Sequence, residues 1–151
     1  MPIEGISHIT LIVQDLDRTA KLFTSVLGTE EVYAGGEKTF SLSKEKFFSC
    51  AGVWLAIMEG CPLSEQSYNH IAFKIPESGF EEYKRRLEEA SVEFREGRSR
   101  VQGEGRSLYF YDYDNHLFEL HTGTLQERLQ AYGRANGSFS PIPVSKVTSI
   151  F

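Results

Sequence analysis

Two histidines and one glutamate are the residues of this sequence best suited to chemistry. His8 lies in Ile6-Ser7-His8-Ile9-Thr10-Leu11-Ile12-Val13, and His70 lies 62 residues later in Tyr68-Asn69-His70-Ile71-Ala72-Phe73-Lys74-Ile75. Both runs are rich in β-branched and aromatic residues, which predicts strands. A neutral imidazole is a good metal ligand, although a histidine in an apolar strand is often a satisfied core residue. Matching places in two similar segments favour ligation, because a repeat brings distant residues together. The third candidate is Glu119, flanked by Phe118 and Leu120. An unpaired carboxylate there is costly; a metal relieves the cost, and an arginine partner is the plain alternative. Two histidines and one carboxylate leave open coordination positions and suit Mn²⁺, Fe²⁺ or Zn²⁺. Strand alternation puts His121 on the face of Glu119, two residues farther along, where it supports the site or fills the polar core rather than ligating. His116 faces the other way and reads as structural.

Two further groups could act on a ligand. The loop Arg98-Ser99-Arg100-Val101-Gln102-Gly103-Glu104-Gly105-Arg106-Ser107 joins arginines to glycines. Arg106 and Ser107 could grip an oxyanion, with Tyr109 adding a hydroxyl from the face of Ser107. A solvated surface loop is the alternative. The pattern is not a nucleotide loop, since it lacks the longer glycine spacing and its lysine. Glu45, between Lys44 and Lys46, reads as a charged turn, or as a base that activates water if the segment folds over a metal cavity.

The elements that must position these groups repeat. After the strand at His8, Asp15 or Asp17 can cap a helix with Leu16, Ala20, Phe23 and Leu27 as its apolar stripe, ended by Gly28. Strands follow at Glu31–Tyr33, Thr39–Leu42, Phe47–Ala51 and Val53–Met58, with Lys44-Glu45-Lys46 projecting from the sheet. The second half begins at His70, continues in a helix striped by Phe80, Tyr83, Leu87 and Ala90, and ends in strands at Val92–Phe94, Ser107–Tyr111 and His116–Leu120. Pairing two such modules can close a barrel-like sheet around a cavity. Thr124-Leu125-Gln126-Glu127 has capping-box spacing and starts a last helix.

The 151 residues suit one compact domain. The net charge of −5 disfavours a general nucleic-acid partner but leaves room for a local basic grip on a small anion. Two cysteines make no disulfide framework, the first residues carry no secretory leader, and no apolar run is long enough to span a membrane. The expected location is the cytoplasm.

Several long motifs, in order, carry a family resemblance. They are Gly5-Ile6-Ser7-His8-Ile9-Thr10-Leu11, Thr39 through Phe48, Tyr68-Asn69-His70-Ile71-Ala72-Phe73, Val101-Gln102-Gly103-Glu104-Gly105-Arg106-Ser107, and Tyr109 through His121. Over roughly residues 3–132 the chain resembles the FosX branch of fosfomycin-resistance proteins. That resemblance implies an α+β vicinal-oxygen-chelate (glyoxalase/bleomycin-resistance-like) fold of paired βαβββ modules in a module-exchanged homodimer. It implies one domain over 1–133, with module one at 4–60, module two at 67–122 and a C-terminal helix at about 124–132, and leaves 134–151 without a role. It implies Mn²⁺ held by His8 of one chain and by His70 and Glu119 of the other. The implied reaction is addition of water to the epoxide of fosfomycin or a related small phosphonate, with Glu45 as general base and Thr10 beside the reacting group. Ser107, Tyr109 and Arg128 match phosphonate-binding positions, and Arg106 falls where the hydrating branch differs from thiol-transferring relatives. Arg100 adds to the basic field. The potassium loop of the glutathione-using branch is not matched cleanly at Ser99 and Gly103, and Thr10 stands where the bacillithiol-using branch usually has cysteine. A thiol transferase and a phosphonate-binding protein of the same fold are the competing readings.

Overall fold

The computed structural model describes residues 2–98 and 101–136, so Ser99, Arg100 and the segment 137–151 lie outside the described residues. The chain starts with β1 (His8–Val13). Asp15 caps α1 (Leu16–Leu22), its carboxylate accepting Arg18 N–H at 2.9 Å. A π-helical turn over Phe23–Leu27 extends α1 until Gly28, at φ +68°, stops it in the left-handed conformation that glycine tolerates. Strands β2 (Glu30–Ala34), β3 (Glu45–Cys50) and β4 (Val53–Glu59) complete the first module. The second consists of β5 (His70–Lys74), α2 (Phe80–Glu89), β6 (Phe94–Glu96), β7 (Ser107–Tyr111) and β8 (Leu117–His121). The two sheets have the same order, β1-β4-β3-β2 and β5-β8-β7-β6, and in each the first strand runs parallel to the last.

Three expectations are corrected. Thr39–Leu42 forms bends, not a strand. Glu45 and Lys46 do not project: they begin β3, paired to Met58 and Ile57. The last helix, α3 (Leu125–Asn136), does not end near residue 132. It passes through Gly133, which is buried, because packing outweighs the weak helix propensity of one glycine. Its start is as expected: Thr124 Oγ1 accepts Glu127 N–H at 3.2 Å, and the Glu127 carboxylate accepts Thr124 N–H at 2.7 Å.

The modules share one core. Leu11, Val13, Phe48, Leu55 and Ile57 meet Leu108, Phe110, Phe118 and Leu120, with helix residues such as Phe23 and Leu87 between them. Phe23 packs edge-on against Phe48 at 5.4 Å and Phe118 at 5.8 Å, joining both sheets. Buried Asp114, in the β7–β8 turn, accepts Gln14 N–H at the end of β1 at 2.9 Å. Within one chain the sheets therefore do not close a barrel around a cavity. Each turns its apolar face inward and leaves the histidine face outside.

Phe118→Ala should cost about 3–5 kcal/mol, as for other large core truncations. Urea unfolding should show a lower midpoint with little change in slope; a loss below about 1 kcal/mol would show that Phe118 does not hold the modules together.

Candidate functional site

Strand pairing sorts the candidate residues onto two faces. Side chains of directly paired residues share a face. In the first sheet His8 pairs with Trp54, Thr10 with Ala56, and Ile12 with Met58. Glu45 pairs with Met58 and Phe47 with Ala56 from the other side of β4. His8, Thr10 and Glu45 thus stand on one face, opposite the core. His8 stacks on Trp54 at 4.3 Å with 16° between the planes, and Phe47 braces Trp54 at 5.3 Å. Glu45 is nearly buried and lines a polar cleft with Gln14, Asp15, Lys44 and Lys46.

In the second sheet Ala72 and Tyr109 flank Glu119, while Lys74 and Ser107 flank His121. His70, Ser107, Tyr109, Glu119 and His121 share its outer face. His70 Nδ1 lies 2.7 Å from the Tyr68 carbonyl. A carbonyl only accepts, so Nδ1 carries the proton and a neutral His70 presents the lone pair of Nε2. That nitrogen faces Glu119 Oε2 at 2.9 Å. With Nε2 protonated the contact is an ion pair; with Nε2 bare both atoms are acceptors, and one divalent metal can take both.

The surroundings keep Glu119 ionised. Burial pushes its carboxyl up, but hydrogen bonds from Ser107 and Tyr109, with the His121 and His70 rings nearby, bring it below the ordinary carboxylate range. Tyr109 is held as a phenol, pushed well above its usual value by burial, its bond with Tyr68 and the adjacent carboxylate. Tyr68 Oη donates to Tyr109 Oη at 3.2 Å.

The remaining candidates are distributed differently. Arg106 does not join the face of Ser107. Its guanidinium lies 3.6 Å over the Phe80 ring and pairs with Glu81 at 3.1 Å and Glu77 at 3.6 Å, because the strand parity just before Ser107 aims it at α2. Arg128 sits on α3 with Nε 3.5 Å from Glu104. Arg100 lies outside the described residues. Among the described residues, no group of three or more His, Cys, Asp or Glu side chains converges on one metal position. His8 belongs to one sheet and the His70–Glu119 pair to the other.

Two residues were missed in the sequence. Tyr68 fixes His70 through its carbonyl, a main-chain contact with no side-chain signature. Glu104 is fully buried and accepts from Tyr132 Oη at 2.8 Å, Arg98 at 3.1 Å and Val101 N–H at 3.3 Å. Its position between two glycines was the only available signal.

The model of the Glyoxalase/Bleomycin resistance protein/Dioxygenase superfamily matches residues 5–120. The chain is 58% identical to the fosfomycin resistance protein FosX of Listeria monocytogenes over 130 residues, covering 86% of this chain and 98% of that protein. It is 55% identical to the FosX of Mesorhizobium japonicum over 127 residues, covering 84% and 91%. Among solved structures, a Glu-to-Gln variant of the Listeria monocytogenes FosX, complexed with Mn(II) and 1S,2S-dihydroxypropylphosphonic acid, superposes with a TM-score of 0.79. The two are 53% identical, over 87% of this chain and 99% of that one.

Trp54 is the single tryptophan and is stacked on His8. Titration with paramagnetic Mn²⁺ should quench its fluorescence saturably, and His8→Ala should abolish the saturable phase. Unchanged quenching in that variant would remove His8 from the metal site.

Proposed function

Since the chain belongs to the Glyoxalase/Bleomycin resistance protein/Dioxygenase superfamily and, within it, to the FosX-type fosfomycin resistance proteins, we propose that it inactivates fosfomycin by adding water to the epoxide. The product is a vicinal diol, and the metal is Mn²⁺. The observation that carries this reading is the approach of His70 Nε2 to Glu119 Oε2, 2.9 Å apart on an outer sheet face. Bound there, Mn²⁺ supplies a Lewis acid that binds and polarises oxygen.

The third metal ligand is His8 of the partner subunit. This makes the working unit a homodimer in which the first sheet of one protomer faces the second sheet of the other. Apolar groups on the outer faces, including Ile12, Trp54 and Tyr68, gain burial in that arrangement. The domain with its two modules is assigned to residues 1–136, so that α3 is whole, and no role is assigned to 137–151.

Glu45 is the general base. It shares the face of His8 and Thr10, and the polar cleft beside it admits water. Its carboxylate takes a proton from water as the water oxygen bonds to an epoxide carbon. The C–O bond on that carbon breaks, its electron pair stays on the former epoxide oxygen, and that oxygen takes up a proton to complete the diol. Thr10 orients the reacting group through its hydroxyl. The substrate phosphonate meets Tyr109 and Arg128, with Arg100 adding charge. Ser107 is engaged with Glu119, and Arg106 supports α2. The described residues contain no helix long and apolar enough to cross a membrane. Cys50 and Cys61 are free thiols, which suits a reducing cytoplasm.

Incubation with fosfomycin and Mn²⁺ should give the diol without any thiol, and added glutathione or bacillithiol should not change the product. A dominant thiol adduct would reverse the assignment to water, and binding without turnover would make the protein a sequestering one. Glu45→Gln should lower kcat by about 10²–10⁴-fold, the usual range for loss of a general base. Unchanged turnover in that variant would remove Glu45 from the role.

A further inference from the structure

Behind the metal-facing oxygen of Glu119 lies a second line of contacts. Ser107 Oγ hydrogen-bonds Glu119 Oε1 and lies 2.8 Å from His121 Nδ1. An ionised carboxylate only accepts, so the Ser107 proton points to Glu119. His121 Nδ1 must then be the donor to Ser107 Oγ. That holds whether the ring is neutral or charged, so no titration enters.

The His121 ring is also seated by glycines. A Cβ at Gly123 would lie 2.7 Å from His121 Nε2, and one at Gly105 would lie 3.2 Å from Cε1. The two glycine backbones cross so closely that a Cβ at Gly105 would meet Gly123 N at 2.6 Å. Gly105 has φ +90°, which glycine adopts without strain. The pair of glycines forms a slot against the imidazole edge.

We infer that His121 is a positioning residue for the metal centre: its Nδ1–H directs the Ser107 hydroxyl onto Glu119 Oε1 and thereby aims Oε2 at the position shared with His70. The inference rests on the reading of His70 and Glu119 as metal ligands. Contacts behind a ligand usually change metal affinity by 10–100-fold when removed.

The test uses the full chain, with Mn²⁺ binding measured by electron paramagnetic resonance of the free ion, alongside kcat and KM. His121→Phe keeps a ring of similar volume without a donor and should weaken Mn²⁺ binding by about 10–100-fold. His121→Asn, whose side-chain amide reaches the place of Nδ1, should restore affinity to within about threefold of the parent, against that same range. Ser107→Ala should weaken binding as His121→Phe does, and the double variant should be little worse than either, as for residues acting in one chain of contacts. Parent-like affinity in His121→Phe, or additive losses in the double variant, would overturn the inference. If His121→Phe does not fold, Ser107→Ala and His121→Asn decide: weakened and parent-like binding, respectively, support it, and parent-like binding by Ser107→Ala overturns it. His70→Ala separates the two levels. If it binds Mn²⁺ as tightly as the parent, the ligand reading itself fails and takes this inference with it.

Discussion

The approach of His70 Nε2 to Glu119 Oε2 at 2.9 Å sets the constraint around which the second module is built. Each is held from behind. The Tyr68 carbonyl fixes a proton of His70 on Nδ1, and hydrogen bonds from Ser107 and Tyr109 hold buried Glu119 below the ordinary carboxylate range. These holding groups come from the approach to β5 and from β7, while the pair itself sits on β5 and β8, so the sheet must be in register before the pair exists. A shift of one residue would send Glu119 to the core and Phe118 to the outside.

The same parity rule shapes the whole molecule. Apolar side chains of both sheets point to one core, where Phe23 bridges the modules, and the chemistry-bearing residues are left on the outer faces. A single chain thus separates His8 and Glu45 from His70 and Glu119 across its own core. On the proposed assignment, the core that stabilises the fold also keeps one chain from completing the site, and the proposed dimer resolves that conflict.

Charge is handled locally. The net charge of −5 describes the surface, yet the basic groups near the site are largely balanced. Arg106 is engaged by Glu77 and Glu81 over Phe80, and buried Glu104 gathers Arg98 and Arg128 with the Tyr132 hydroxyl. Removing one member of a buried ionic group costs more than the group contributes, because the partner is left uncompensated. Glu104 therefore ties the glycine loop to α3 and fixes where Arg128 stands.

Much was legible in the sequence. Alternation in Leu117–His121 assigned Glu119 and His121 to one face, the matched runs around His8 and His70 disclosed the two modules, and the capping box at Thr124 marked α3. These depend on local periodicity and short-range hydrogen bonds, which the order of residues sets directly. The extent of β3, which takes in Glu45, and the run of α3 through Gly133 were not legible, since partner strands and packing override weak local propensity. Nor could the chain order reveal that Arg106 turns to α2, that Glu104 is a buried anchor, or that Gly105 and Gly123 make a slot for His121. The sequence by itself determined which residue types are available and, where alternation is regular, which of them share a strand face. Only the tertiary structure decided which are aimed at one another, because aim depends on contacts between segments far apart in the chain.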